Sequence, residues 1–237
     1  MVTLGLVGDC SQGDAMLLGK ALDTALKLSD VVVQLGDVNS SDNHSGYTVV
    51  TGHRGLWMAG VPEPAGSSKL LVIPGNHDTQ GPGDWSKLGG LPKQWIRQMY
   101  GVTLIGLDNS GDAIGDAGWD ILTAFDAQPN RPAYPIFVFV HKSLSRLILP
   151  DGTESSHVVA EGAPCPDADK LKAWVAAHNA TVCCGHFHGS ALMRTSYGTV
   201  VLEGRGGSPG YAGKAMCGWT QIFVQPDGWT AHPVDLT

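Results

Sequence analysis

Five short apolar runs, Leu4–Val7, Val31–Leu35, Leu70–Ile73, Ile136–Val140 and Thr181–Cys184, are each bounded by turn residues and predict buried strands. Between the first two, Met16, Leu17, Ala21, Leu22, Ala25 and Leu28 recur at helical spacing, which predicts an amphipathic helix over Asp14–Leu28 and a strand, helix, strand unit. Pro166–His178 repeats the design, with Pro and Asp at its start and Leu171, Trp174 and Val175 on one face. Three hairpins are predicted further along: Gln94–Asp108 turning near Tyr100-Gly101, Ala191–Glu203 around Tyr197-Gly198, and Thr220–Val234 around Pro226-Asp227-Gly228. Helical crossovers early and antiparallel hairpins late imply an α/β chain of mixed sheets packed together, with helices on the outer faces. The Gly/Pro/Ser-rich stretches Asn39–Gly46, Pro62–Ser68, Gly81–Gly90 and Asp151–Pro166 read as loops. Loops at Asn39–Trp57, Asp108–Asp120 and Leu149–Pro166 are expected to border any site at the strand ends. With no linker or internal repeat, residues 1–237 are expected to form a single domain.

Composition narrows the partners. A net charge of −7 with no Lys/Arg cluster argues against polymeric nucleic acid, because general electrostatic binding needs basic side chains to displace counterions. A compact phosphorylated metabolite stays allowed, since a bound metal reverses the local charge. Met1 runs directly into the apolar Val2–Val7 with no basic leader, and no apolar run reaches bilayer length, so a cytoplasmic protein without membrane contact is expected. The five cysteines, Cys10, Cys165, Cys183, Cys184 and Cys217, form an odd set and read as reduced thiols.

Each predicted strand ends on groups suited to metal binding or proton transfer: Gly8-Asp9, Gly36-Asp37, Gly75-Asn76-His77-Asp78, His141, and Gly185-His186-Phe187-His188. Ligands of open α/β sheets gather beyond the carboxyl ends of strands, so five strands delivering such side chains to one edge would assemble a site. The glycines let the backbone turn sharply and another segment approach closely. In His186-Phe187-His188 an extended chain would turn both imidazoles one way and Phe187 the other. Any one of these signals is common in isolation; five in order after apolar strands point to one site.

The ordered set resembles the calcineurin-like metallophosphoesterase superfamily, whose pattern runs Asp-x-His, Gly-Asp, Gly-Asn-His-Asp/Glu, a lone His, then Gly-His-x-His. The resemblance extends from Val2 to about Gly207 and implies a four-layer α/β/β/α sandwich. It also implies that Asp37 bridges two metals, that Asn76, His141 and His186 complete one site, and that Asp9 with His188 serves the other. His77 would be the proton donor outside the ligand set, oriented by Asp78. The chain departs from the pattern at Ser11, where the family has His. Purple acid phosphatases also lack that His but supply a Tyr three positions after the bridging Asp, where this chain has Ser40. Water, Ser11, Gln12 or His44 are candidates to fill the gap.

Two divalent ions about 3.5 to 4 Å apart would clamp a phosphoryl group and lower the pKa of a shared water. The expected reaction is hydrolysis of small phosphomonoesters or phosphodiesters, nucleotides included, by a hydroxide held at the two metals. Mixed N/O ligands without Cys fit Mn²⁺, Fe or Zn²⁺ better than Ca²⁺. His77 would protonate the leaving alkoxide. Arg54 and Arg205 are candidates to grip a phosphate oxygen, and Trp57, Trp85 and Trp119 to stack on a leaving group or to anchor loops. A nuclease and a non-catalytic scaffold of the same fold are the alternatives. The acidic balance opposes the first, and the set Asn76, His77, His141, His186 and His188 opposes the second.

Overall fold

A computed structural model of the chain describes residues 1–10, 13–39, 42, 44–58, 69–80, 84–129, 135–148, 152, 166–209 and 215–236, with side chains undescribed at 54–58, 166, 209 and 215. Among these residues two six-stranded mixed sheets form. The first holds β1 (Val2–Val7), β2 (Val31–Gln34), β3 (Leu70–Val72), β10 (Gly206–Pro209), β11 (Ala215–Gln225) and β12 (Gly228–Asp235). Its order is β10-β11-β1-β2-β3, with β12 also paired to β11. The second holds β4 (Trp95–Met99), β5 (Val102–Gly106), β6 (Ile136–Val140), β7 (Thr181–Cys184), β8 (Ser190–Thr195) and β9 (Gly198–Glu203), in the order β4-β5-β6-β7-β9-β8. In each sheet the central strands are parallel, β1-β2-β3 and β5-β6-β7-β9, and the flanking pairs are antiparallel.

Strand alternation divides the apolar residues between two layers of packing. In β6, Phe137 and Phe139 face the other sheet, while Ile136, Val138 and Val140 face helices. In β2, Val31 and Val33 face inward and Val32 outward, and the vicinal Cys183 and Cys184 split the same way. Strands buried on both faces are mainly apolar, which is why the sequence shows these segments as runs instead of alternations; buried Gln34 in β2 is satisfied by the Gly8 and Gly36 carbonyls and the Gly36 amide. The inter-sheet core joins Leu4, Leu6, Leu104, Phe137, Phe139 and Ile222. The result is the expected α/β/β/α sandwich.

On the first sheet lies α1 (Ala15–Leu28), capped by the Asp14 carboxylate, which accepts from the Met16 amide at 2.8 Å; Leu18, Ala21, Leu22, Ala25 and Leu26 form its buried face. Beside it lies α2 (Ser45–Met58), where a loop was expected over Asn39–Trp57. Its Gly, Thr and Val content gives it a poor intrinsic helical preference. Tertiary contacts supply the difference: Tyr47 and Val50 enter the core, Asp42 accepts from the His44 and Ser45 amides, and His53 ties to Val49 and to Asp23 of α1.

On the second sheet lie α4 (Gly115–Asp126) and α5 (Pro166–Ala177). The first occupies the end of the loop expected at Asp108–Asp120. Gly118 conceals the helix in the sequence, yet a Cβ there would sit 2.8 Å from Ile114, so the close packing needs it. Trp85 and Trp119 act as anchors: the Trp85 indole N–H donates to the Leu91 carbonyl, and that of Trp119 donates to Asp167. The side chain of Trp57, most of the Pro62–Ser68 and Asp151–Pro166 loops, and Cys165 lie outside the described residues. The other four cysteines are buried and unpaired with one another. No described helix is long and apolar enough to cross a membrane.

Candidate metal centre

The carboxyl ends of β1, β2 and β3 meet those of β6 and β7 at one edge of the sandwich. A short helix, α3 (Asn76–Thr79), follows β3 there. His141 is the hub and is wholly buried. Its Nδ1–H donates to the Leu35 carbonyl at 2.8 Å, which leaves the Nε2 lone pair pointing into the site. Around Nε2 stand Asn76 Oδ1 at 3.1 Å, His186 Nδ1 at 3.2 Å, Asp37 Oδ2 at 3.3 Å and Asp9 Oδ1 at 3.8 Å. Ligand atoms of Asp37, His141 and His186 lie within 4.8 Å of one another.

So many acceptors facing one nitrogen demand a cation. Without a metal, that cation is a proton: burial opposes charge on His141, but Asp37 and Asp9 outweigh it and raise its pKa to about 9. Burial also pushes Asp37 up, but His141 and the His77 amide more than reverse this and hold it at about 2. Asp9 goes the other way, to about 8, because burial and the Asp37 charge exceed the help from His141. The three groups share one positive charge where a divalent ion would satisfy all of them. The donor set therefore fits a borderline N/O-binding ion such as Mn²⁺, Fe or Zn²⁺.

Backbone geometry is bent to build this cluster. Asp37 and His186 adopt left-handed conformations at φ 53° and 65°, a region that Asp and His enter at some cost and that often marks functional residues. Gly36, at φ 91°, and Gly75 let the β2 and β3 ends nest: a Cβ on Gly75 would lie 2.2 Å from both the amide and Oδ1 of Asp37. The Asp9 carboxylate accepts the His186 amide at 2.9 and 3.1 Å, tying β1 to the β7 loop.

Three expectations change. Residues 186–189 are not extended. Phe187 N–H reaches the Gly185 carbonyl at 2.8 Å and Gly189 N–H the Phe187 carbonyl at 2.7 Å, so successive tight turns orient the imidazoles, although Phe187 does enter the core. Asp78 does not hold the His77 ring. Its buried carboxylate accepts from the Val38, Asn39 and Gly75 amides at 2.9, 3.3 and 2.9 Å and from the Tyr47 hydroxyl at 3.0 Å, so it clamps the Asp37 loop to the β3 end. Arg205 is not free for phosphate. It pairs with Glu203, a carboxylate with no exposure, through Nε at 3.0 Å and Nη2 at 2.6 Å, and donates to the Trp219 carbonyl. A buried carboxylate left without its guanidinium would be costly, so this arginine is structural.

The remaining candidates are placed unevenly. His77 is half-buried, and its amide donates to Asp37 Oδ1 at 2.8 Å. His188 is half-buried just past His186. His44 is exposed at the start of α2, its Nδ1 accepting from Lys87 at 2.7 Å, and no ligand cluster among the described residues includes it. Ser11, Gln12 and Ser40 lie outside the described residues, as does the Arg54 side chain. Sequence reasoning missed Asn109, which is buried: its Oδ1 accepts from the His141 and Lys142 amides at 2.9 and 3.0 Å and its Nδ2 donates to the Lys142 carbonyl at 2.7 Å. It missed Asn39 too, 2% exposed, whose Oδ1 has no hydrogen-bond partner. Neither asparagine carries a motif that would have singled it out.

Solved structures share this arrangement of sheets. Purple acid phosphatase PPD1 from yellow lupin seeds superposes with a TM-score of 0.64 at 11% identity, over 93% of this chain and 49% of that one. The fold is that of the calcineurin-like metallophosphoesterases. A candidate 5'-nucleotidase from Staphylococcus aureus, solved with alpha-ketoglutarate, shares the phosphoesterase fold at a TM-score of 0.53 and 14% identity, over 98% of this chain and 53% of that one. GAP50 of Plasmodium, described as the anchor in the inner membrane complex, matches at 0.63 and 10% identity over 100% of this chain and 89% of that one. The chain thus spans about half the length of the phosphatase and of the nucleotidase. No protein-family model and no curated protein matches the sequence.

Proposed function

We propose that this chain is a metal-dependent phosphoesterase acting on small phosphomonoesters or phosphodiesters, nucleotides included, and that it holds two divalent ions. The observation that supports this reading is the convergence of Asn76, His186, Asp37 and Asp9 on the freed Nε2 of His141. Asp37, Asn76, His141 and His186 would hold one ion, and Asp9, Asp37 and His188 the other. When bound, such ions supply Lewis acidity and a water acidic enough to attack phosphorus at neutral pH.

The chain's own groups do the rest. Asp37 fixes the spacing of the two halves, and its loop is held rigid by the Asp78 clamp and by the His77 amide. The Leu35 carbonyl and Asn109 lock the His141 ring and backbone, so orientation is settled before substrate arrives. His77, outside the ligand cluster and half-buried at the head of α3, would give a proton to the departing oxygen.

The test is a panel of p-nitrophenyl phosphate, bis-p-nitrophenyl phosphate and cyclic nucleotides, run with EDTA and then with added Mn²⁺ or Zn²⁺, beside metal analysis of the purified protein. Hydrolysis that vanishes with EDTA and returns with metal is expected. A second reading, a scaffold that kept the fold without the chemistry, draws on the likeness to the Plasmodium anchor protein. Metal binding without turnover of any ester in the panel would favour it.

A further inference from the structure

The two halves of the proposed centre are unequally furnished. One has four protein ligands, Asp37, Asn76, His141 and His186, and the other has three, Asp9, Asp37 and His188. An unexplained polar atom belongs to the segment that leaves Asp37, the carboxylate both halves share. Asn39 is two residues beyond Asp37, is 2% exposed, and keeps its Oδ1 without a hydrogen-bond partner. Its backbone is fixed by the Asp78 clamp, and the Cys10 amide donates to the Asp37 carbonyl at 2.9 Å, so the segments carrying Asp9 and Asn39 run side by side.

A buried amide oxygen without a partner is costly, and native structures retain one where an ion or water completes it. Four other described side-chain atoms share this condition: Ser29 Oγ, Gln94 Oε1, Thr103 Oγ1 and Trp219 Nε1. None of these belongs to a segment that follows a parallel strand into the carboxylate cluster. An amide oxygen is also a competent ligand for Mn²⁺, Fe or Zn²⁺, and the Asn76 oxygen facing His141 is already offered in that role.

We propose that Asn39 Oδ1 is a metal-ligating oxygen of the Asp9 half, making good the ligand that this half lacks; the inference rests on the two-ion reading above. Asn39→Leu keeps the side-chain size and removes the oxygen, whereas Asn39→Asp keeps an oxygen and adds charge. Metal-stripped proteins are titrated with Mn²⁺ by calorimetry, and melting temperatures are read with and without Mn²⁺.

Wild type is expected to bind in two steps. In Asn39→Leu the weaker step should fall by about tenfold or more while the tighter step is kept, a change of the size seen when a metal site's surroundings are altered. The Mn²⁺-dependent rise in melting temperature should shrink with it. In Asn39→Asp the weaker step should tighten, which a purely structural asparagine would not produce. Two unchanged steps in Asn39→Leu, or a folded Asn39→Asp with no tightening, would overturn the assignment while leaving the phosphoesterase reading intact. Wild-type protein that binds no divalent ion would overturn both.

Discussion

Asp78 clamps the Asp37 loop instead of orienting His77, and one substitution tests that assignment. Asp78→Asn keeps the shape of a side chain with no exposure but exchanges one oxygen for an N–H₂ group. The remaining oxygen is best kept on the side of Val38, Asn39 and Tyr47, which supply three donors to Oδ1. The new N–H₂ then faces the Gly75 amide, which donates to Oδ2 at 2.9 Å in the native protein. Burial and the Asp37 charge already push the Asp78 carboxyl up to about 6, so losing its charge costs little. The penalty is geometric: one charge-assisted hydrogen bond lost and one donor aimed at another, about 2 kcal/mol. Asp78→Ala should cost about 5 kcal/mol, because three backbone N–H groups lose their acceptor at about 1–3 kcal/mol each. Denaturant unfolding in EDTA measures both without interference from metal linkage. If Asp78→Asn unfolds within about 0.5 kcal/mol of wild type, and loses turnover mainly for esters with poor leaving groups, then Asp78 serves His77 and the clamp is secondary.

Other outcomes follow from the same geometry. His77→Asn should lower turnover of alkyl phosphates far more than of p-nitrophenyl phosphate, since an acidic phenol barely needs a proton, and metal content should be unchanged; equal losses would remove His77 as general acid. Asp37→Ala should remove both ions and His188→Ala mainly one, which metal analysis after gel filtration reads directly; two ions retained in Asp37→Ala would exclude the shared carboxylate. The stabilisation given by metal should grow between about pH 6.5 and pH 9. In the metal-free protein His141, raised to about 9, contributes stability that is full below its unfolded value and lost as pH rises. Asp9, raised to about 8, likewise favours the metal-free fold less as pH rises, and metal binding, which displaces both protons, reverses each trend. A melting-temperature difference between Mn²⁺ and EDTA samples that is flat across this range would contradict the proton-filled hub.

The parallel strands were legible because burial on both faces favours apolar residues, so β1, β2, β3, β6 and β7 appear as mainly apolar runs, broken only where a buried polar group such as Gln34 finds backbone partners. Their ends were legible for the opposite reason: Asp9, Asp37, Asn76, His141 and His186 are chemically out of place after such runs. Helix α2 was hidden because tertiary contacts of Tyr47 and Val50, not local preference, hold it. Helix α4 was hidden by Gly118, which is there for packing against Ile114. Arg205 misled because exposure cannot be read from a lone arginine between glycines; only the fold buries its neighbour Glu203 against Thr220 and so commits the guanidinium to it. Asn109 has a role that exists only once separate strands meet.

The left-handed backbone at Asp37 and His186 sets fold and site against each other. Glycine at either position would relax the main chain, but at position 37 it would also strip buried His141 of the carboxylate paired with it at 3.3 Å, whereas half-buried His186 has less to lose. Directed evolution that selected this chain for heat resistance alone would thus be drawn to position 186 before position 37, and the hardier descendants would be the ones with a weakened hold on metal. Screening for both properties together is the way to keep the centre while hardening the scaffold.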